Sequence, residues 1–185
     1  MHRFVLTLLI MTALSGCGRT TPMAPEPGPA FDPVAFFDGH TQSRGVIENR
    51  SGAPVEPIMT DSHASIDEAH RLHMVQTLTF RGGRTQRRTW TLWQTGAGLF
   101  EATANDMIGS ATGRANGSMF HWQWVLARSP GNHLMDVTME QWMYGLPDGT
   151  VLIRTTISKL GFILAEVTEQ FTRSGATKVV AAQPG

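Results

Sequence analysis

Four ionisable residues stand inside runs that otherwise read as β-strand: Asp106, Glu140, Arg154 and Glu166. A charge enclosed in an apolar interior is costly unless it is paired and hydrogen-bonded. An enclosed Arg154 would therefore need Glu140 or Glu166 beside it, and such a pair could orient a ligand carboxylate or hydroxyl. Asp106, Glu140 and Arg154 are the candidate catalytic residues, for acid–base or electrostatic work, provided they converge within hydrogen-bond reach. The plainer expectation is that all four face water or pair at a rim. A second set is apolar. Trp90, Trp122, Trp124, Trp142 and Tyr144, with Arg154, are candidates to line a ligand pocket. Met135, Met139 and Met143 share one strand face, and methionine adapts to irregular apolar ligands. The opposite face of that strand carries Asp136, Thr138, Glu140, Trp142 and Tyr144, so either face suits the inside.

Other spacings carry less. His70-Arg71-Leu72-His73, with Glu68 and His63, superficially resembles a metal cluster. In a strand, positions 70 and 73 point to opposite faces, so surface histidines and no metal site are expected. Gly96-Ala97-Gly98 lacks the third glycine of a dinucleotide fingerprint. No Gly-x-Ser-x-Gly nucleophile elbow is present, and no cofactor is expected. Gly109, Gly113 and Gly117 lie among polar residues, which excludes an apolar span and indicates tight bends or close packing against Trp rings. Arg81, Arg84, Arg87 and Arg88 surround Gly82-Gly83 and read as a solvated hairpin tip; the sharper alternative is contact with anionic lipid headgroups.

Cys17 is the only cysteine, and it follows an apolar run in Leu14-Ser15-Gly16-Cys17. Met1-His2-Arg3, the apolar stretch Phe4 to Leu14 and the small residues after it describe an export signal. The tetrapeptide resembles the bacterial lipobox, in which the cysteine is diacylated and becomes the mature N-terminus. Residues 1–16 are then a lipoprotein signal peptide. Position 18 is Gly, not the Asp that retains such proteins at the inner membrane, so the outer membrane, facing the periplasm, is expected. With Cys17 lipidated, disulfides, zinc–thiolate sites and cysteine nucleophiles are excluded. The chain has 15 basic and 15 acidic residues, and this balance excludes the basic footprint of a nucleic-acid binder.

The elements that must position these residues are strands. Residues 17–30, with Pro22, Pro25, Pro27 and Pro29, form a lipidated cysteine and extended tether. A single domain over 31–173 follows, then a loose tail over 174–185. Asp32-Pro33 starts a short helical turn carrying Val34, Phe36 and Phe37. Strands are expected at 41–48, 55–64, 72–80, 85–93, 99–107, 119–126, 133–144, 150–158 and 162–171. Asn116-Gly117 is a two-residue hairpin signal. Phe120, Trp122, Trp124 and Leu126 share one face; so do Trp90 and Leu92; so do Ile163, Ala165, Val167 and Phe171. Many short strands of period two indicate an antiparallel sandwich or barrel, and closure removes exposed edges. A closed or nearly closed barrel is therefore expected.

A family pattern runs through these elements. Phe31-Asp32-Pro33 with Phe36-Phe37-Asp38-Gly39, Arg88-Thr89-Trp90, Asp106 to Gly113, Gln141-Trp142-Met143-Tyr144, Asp148-Gly149, Arg154, Ser158 to Phe162 and Glu166-Val167-Thr168 resemble the bacterial lipoproteins grouped as domain of unknown function 3833. The resemblance spans about Phe31 to Arg173. It implies an all-β, lipocalin-like barrel and a lipid anchor, and it carries no established catalytic residues. Where the family pattern has an acidic residue before the Trp-Met-Tyr triplet, this chain has Gln141.

The leading expectation is a membrane-anchored periplasmic binding protein whose barrel holds an apolar or fatty-acyl ligand. The alternatives are an enzyme acting on a hydrophobic substrate and a structural partner in envelope assembly. The enzyme requires Asp106, Glu140 and Arg154 to meet in one cavity. The structural partner requires a filled barrel and a large exposed apolar patch.

Overall fold

A computed structural model describes residues 30–129 and 131–174. The expected signal peptide, Cys17 and most of the tether and tail lie outside the described residues. A short helix comes first, α1 (Pro33–Phe37). Asp32 caps it, its Oδ1 accepting from the backbone N–H groups of Val34 (2.8 Å) and Ala35 (3.2 Å). Pro33 at the first helical position has no N–H to leave unsatisfied. The turn buries Pro33, Phe36 and Phe37, and the Phe37 ring meets Phe171 edge-on at 5.5 Å.

Ten strands follow: β1 (Gly39–Asn49), β2 (Pro54–Ile66), β3 (Leu72–Phe80), β4 (Thr85–Gly96), β5 (Leu99–Ala104), β6 (Met107–Asn116), β7 (Met119–Leu126), β8 (Val137–Gly145), β9 (Val151–Lys159) and β10 (Phe162–Arg173). Each pairs antiparallel with its neighbours in sequence, and β10 returns to β1 from Thr41↔Arg173 to Asn49↔Ala165. The chain is an all-β, antiparallel, closed ten-stranded barrel of lipocalin-like form. Its alternation points inward with Thr41, Ile58, Met74, Trp90, Phe100, Phe120, Met139, Ile153 and Phe171. Outward positions such as Gln42, Arg44, His63, Thr77 and Arg87 are exposed. An apolar inside with a polar outside is the reverse of a membrane-spanning barrel.

The two ends differ. The connections β2–β3, β4–β5, β6–β7 and β8–β9 lie at the end that α1 closes, where the Phe31 amide donates to the Gly117 carbonyl at 2.7 Å. The connections β1–β2, β3–β4, β5–β6, β7–β8 and β9–β10 form the opposite, open rim.

Three expectations require correction. The run 99–107 is two strands, broken at Asn105-Asp106, and β6 is a strand in its own right. Its glycines hid it: Gly113 is held without a Cβ because one would lie 2.3 Å from the Phe120 ring, so the close packing is against Phe rather than Trp. Residues His133–Met135 form a 3-10 turn capped by Asn132 rather than the start of a strand. The common face of Ile163 with Val167 and Phe171 is interrupted by a register shift between Ile163 and Ala165, which leaves Ile163 exposed beyond the rim. Asn116-Gly117 does turn β6 into β7, with Asn116 opposite Met119.

Candidate ligand cavity

The barrel interior is part solid and part hollow. Trp90 on β4 and Trp122 on β7 reach across it and stack at 5.2 Å, 17° between planes. Trp124 meets both edgewise, at 5.5 and 5.4 Å, and Phe120 joins Trp122 at 5.3 Å. Tilted and offset ring pairs of this kind add to the stabilisation from area burial. Beside this aromatic wall lies a cavity of about 170 Å³. It runs from Pro33 and Phe37 at the closed end to Leu78, Phe80, Gln86, Leu126 and Ile157 near the rim, and Met74, Met139 and Met143 also line it.

The opposite wall is polar, and its parts interlock. Glu169 on β10 is buried, and its Oε1 accepts from the hydroxyls of Ser43 (2.5 Å) and Thr60 (2.8 Å). Burial pushes its carboxyl above the usual glutamate range, against the lowering influence of those hydroxyls and of the Arg88 charge. Both hydroxyls serve one oxygen, and Glu169 is among the residues that line the cavity. Arg88 donates through Nε to Asp106 Oδ2 at 2.8 Å, an enclosed ion pair near the rim. Gln76 accepts from Trp90 Nε1 (2.8 Å), and Gln141 accepts from Trp122 Nε1 (2.7 Å) while donating to Thr155 (2.8 Å). The indole N–H of Trp124 is buried on the cavity wall without a partner among the described residues.

Of the candidate pocket residues, Trp90, Trp122 and Trp124 line the cavity, whereas Trp142, Tyr144 and Arg154 do not. The pairing Phe120↔Met143 sends Met143 inward and therefore turns Trp142 and Tyr144 outward. Trp142 stacks on His121 at 4.1 Å on the outer face. Arg154 is exposed there and pairs with Glu166, while Glu140 pairs with His121. Asp106, Glu140 and Arg154 thus do not converge, and the requirement of the enzyme alternative is unmet. Met135 sits exposed in the 3-10 turn, apart from Met139 and Met143.

Arg88 is the clearest correction to the hairpin-tip reading. It is buried inside the barrel, while Arg81, Arg84 and Arg87 are exposed. Its parity with Trp90 and Leu92 was the available signal, as was that of Glu169 with Val167 and Phe171. Among the histidines, His73 bonds Asp67 at 2.8 Å, and His63 joins His40 rather than His70. The His40 and His63 rings stack at 4.3 Å on the outer face, and each Nε2 meets one oxygen of Asp61. Hydrogen bonds from Gln42 and then His40 hold the Asp61 carboxyl below its ordinary value.

A family model described as protein of unknown function (DUF3833) matches residues 11–173, and the chain belongs to that family. No curated protein sequence matches it. Among solved structures, an S-type phycobiliprotein lyase, CPES, from Guillardia theta is similar in fold, with a TM-score of 0.58 at 10% identity over 76% of this chain and 89% of that one.

Proposed function

We propose that this member of the DUF3833 family is a lipid-anchored binding protein of the bacterial envelope that takes an apolar or fatty-acyl segment into its barrel. One observation carries the reading: an interior hollow walled by Trp and Met on one side and by a buried carboxyl on the other. A cavity of about 150 Å³ in an apolar core is enough for a benzene-sized guest. The present cavity of about 170 Å³ therefore holds a ring or a short stretch of chain as it stands. The three methionines offer the adjustable volume that a longer chain needs. A raised Glu169 carboxyl is neutral over a wider pH range, and a neutral carboxyl can donate to a ligand oxygen.

The anchor rests on the sequence alone. Leu14-Ser15-Gly16-Cys17 behind a basic start and an apolar run supports diacylation, outer-membrane attachment and a periplasmic setting. The same fold in a protein named a phycobiliprotein lyase supports the barrel as a scaffold and says nothing of this chain's ligand.

Native mass spectrometry of the gently extracted protein, with titration of a fluorescent fatty acid, tests the reading. The expected result is a co-purifying apolar molecule or saturable uptake that Leu78→Trp, narrowing the cavity near the rim, abolishes. A barrel that stays empty and takes up no probe overturns it.

A further inference from the structure

The β9–β10 hairpin outruns its neighbours. Its last partner on β8 is Ser158, opposite Thr138, and its last on β1 is Ala165, opposite Asn49. The intervening tip, Lys159 to Leu164, therefore stands clear of the rim with no strand beside it. Beyond Lys159 its side chains are apolar and in water: Leu160 is 88% exposed, Phe162 74%, and Ile163 and Leu164 also lie open. Leu160 has φ +49° and Gly161 φ +82°, at a two-residue turn whose first position ordinarily holds Asn, Asp or Gly. A leucine there is unfavourable twice, in backbone conformation and in exposed apolar area. Leu160 is 88% exposed and takes no place in the buried core of the described residues.

The neighbouring loop extends the same surface. Leu134 is 82% exposed and Met135 follows it. The Lys159 ammonium ties this loop to the hairpin by donating to the carbonyls of Leu134 and Asp136. The charges around the barrel are segregated. The rim connections hold Arg50, Arg81, Arg84 and Arg128 against Asp106 and Asp136, and Asp106 is already paired with Arg88. Arg84 is paired with Glu56, but Arg50, Arg81 and Arg128 make no ion pair among the described residues. At the closed end the balance reverses: Asp32, Asp38, Asp67, Glu68 and Asp148 stand against Arg71 and Arg173, whose guanidinium donates to the carbonyls of Ala35 and Asp38.

We propose that the open rim docks on an anionic lipid bilayer, with the Lys159–Leu164 tip and Leu134 inserted among the headgroups, and that the ligand passes between bilayer and cavity across that contact. A small apolar projection ringed by cations matches an interface that is apolar within and anionic at its surface. The proposal rests on the carrier reading for what crosses the contact, and on the surface alone for the contact itself.

Since Cys17 is the only cysteine, the full chain with Cys17→Ala accepts a single environment-sensitive fluorophore at Phe162→Cys or, at the closed end, Glu68→Cys. With phosphatidylglycerol–phosphatidylethanolamine vesicles, the label at position 162 is expected to shift to the blue and to be quenched by lipid-borne nitroxide. The label at 68 stays unchanged, and phosphatidylcholine vesicles give a weaker response. No shift at 162, equal shifts at both positions, or a shift that grows with protein concentration without vesicles (a second copy) overturns docking. Leu160→Ser with Phe162→Ser is expected to weaken vesicle partitioning at least about tenfold, because each buried side chain contributes more than that factor alone. Its uptake of a monomeric fluorescent fatty acid from solution stays the same. Unchanged partitioning overturns docking and leaves the carrier reading intact; weakened partitioning without uptake in either chain supports docking and removes the carrier.

Discussion

Gly45 and Glu169 face each other across the β1–β10 ladder, and a Cβ on Gly45 would lie 2.6 Å from the Glu169 Cγ and 2.1 Å from the Thr168 carbonyl oxygen. The missing side chain on β1 is what lets the buried carboxyl pack against that strand. Gly45→Ala is expected to destabilise the barrel by about 1–3 kcal/mol, the range for overpacking a close contact, and to lower the midpoint of thermal or urea unfolding.

Glu169 gives the barrel a pH dependence of definite sign. Its folded carboxyl titrates above the ordinary 4.5, so above pH 4.5 the unfolded chain ionises first and gains relative to the folded one. The stabilising contribution of the neutral group is complete below pH 4.5 and is lost as pH rises through the raised folded value, at no more than about 1.4 kcal/mol per pH unit. Urea unfolding followed from pH 4 upward is expected to show Glu169→Gln gaining on the native chain until pH passes the raised folded value, and holding a constant advantage beyond it. Parallel profiles for the two proteins would contradict the assignment.

Arg88 and Asp106 form the pair whose rupture costs most. Both are largely enclosed, and removing one partner strands the other charge. Asp106→Ala is expected to cost roughly 3 kcal/mol, measured by urea unfolding, whereas replacing both with apolar residues of similar volume loses much less.

Outer-face substitutions separate cavity from surface. Trp142→Phe, Tyr144→Phe and Arg154→Ala are expected to leave fatty-acid uptake unchanged, and the exposed Arg154–Glu166 pair contributes less than about 1 kcal/mol. Trp122→Ala opens the aromatic wall, strands the Gln141 side-chain carbonyl and shifts the affinity. Fluorescence titration of the four variants compares them directly.

Much of the barrel was legible because period-two burial is a local signal. Phe120, Trp122 and Trp124 announced their face, and Asn116-Gly117 announced its turn. Strand β6 was not legible, since Gly109 to Asn116 is small and polar apart from Arg114, with Gly109 serving a left-handed bend and Gly113 the packing against Phe120 rather than strand propensity. The site was half legible. Trp90, Trp122 and Trp124 carried a composition signal, but the inward face of β8 depends on its register against β7, which pairing across the chain decides. The polar wall was hidden for a related reason. Glu169 meets Ser43 and Thr60 only because β10 closes on β1, so a residue more than a hundred positions from both completes their cluster.

Among the described residues, the plug formed by α1 leaves the opposite rim as the doorway of the barrel. For a guest taken up as proposed, arrival and departure share that rim, so resident and newcomer compete for the same passage. Exchange then runs at the departure rate of the resident guest, whatever the excess of competitor outside, and a dilution chase would read that rate as a single exponential.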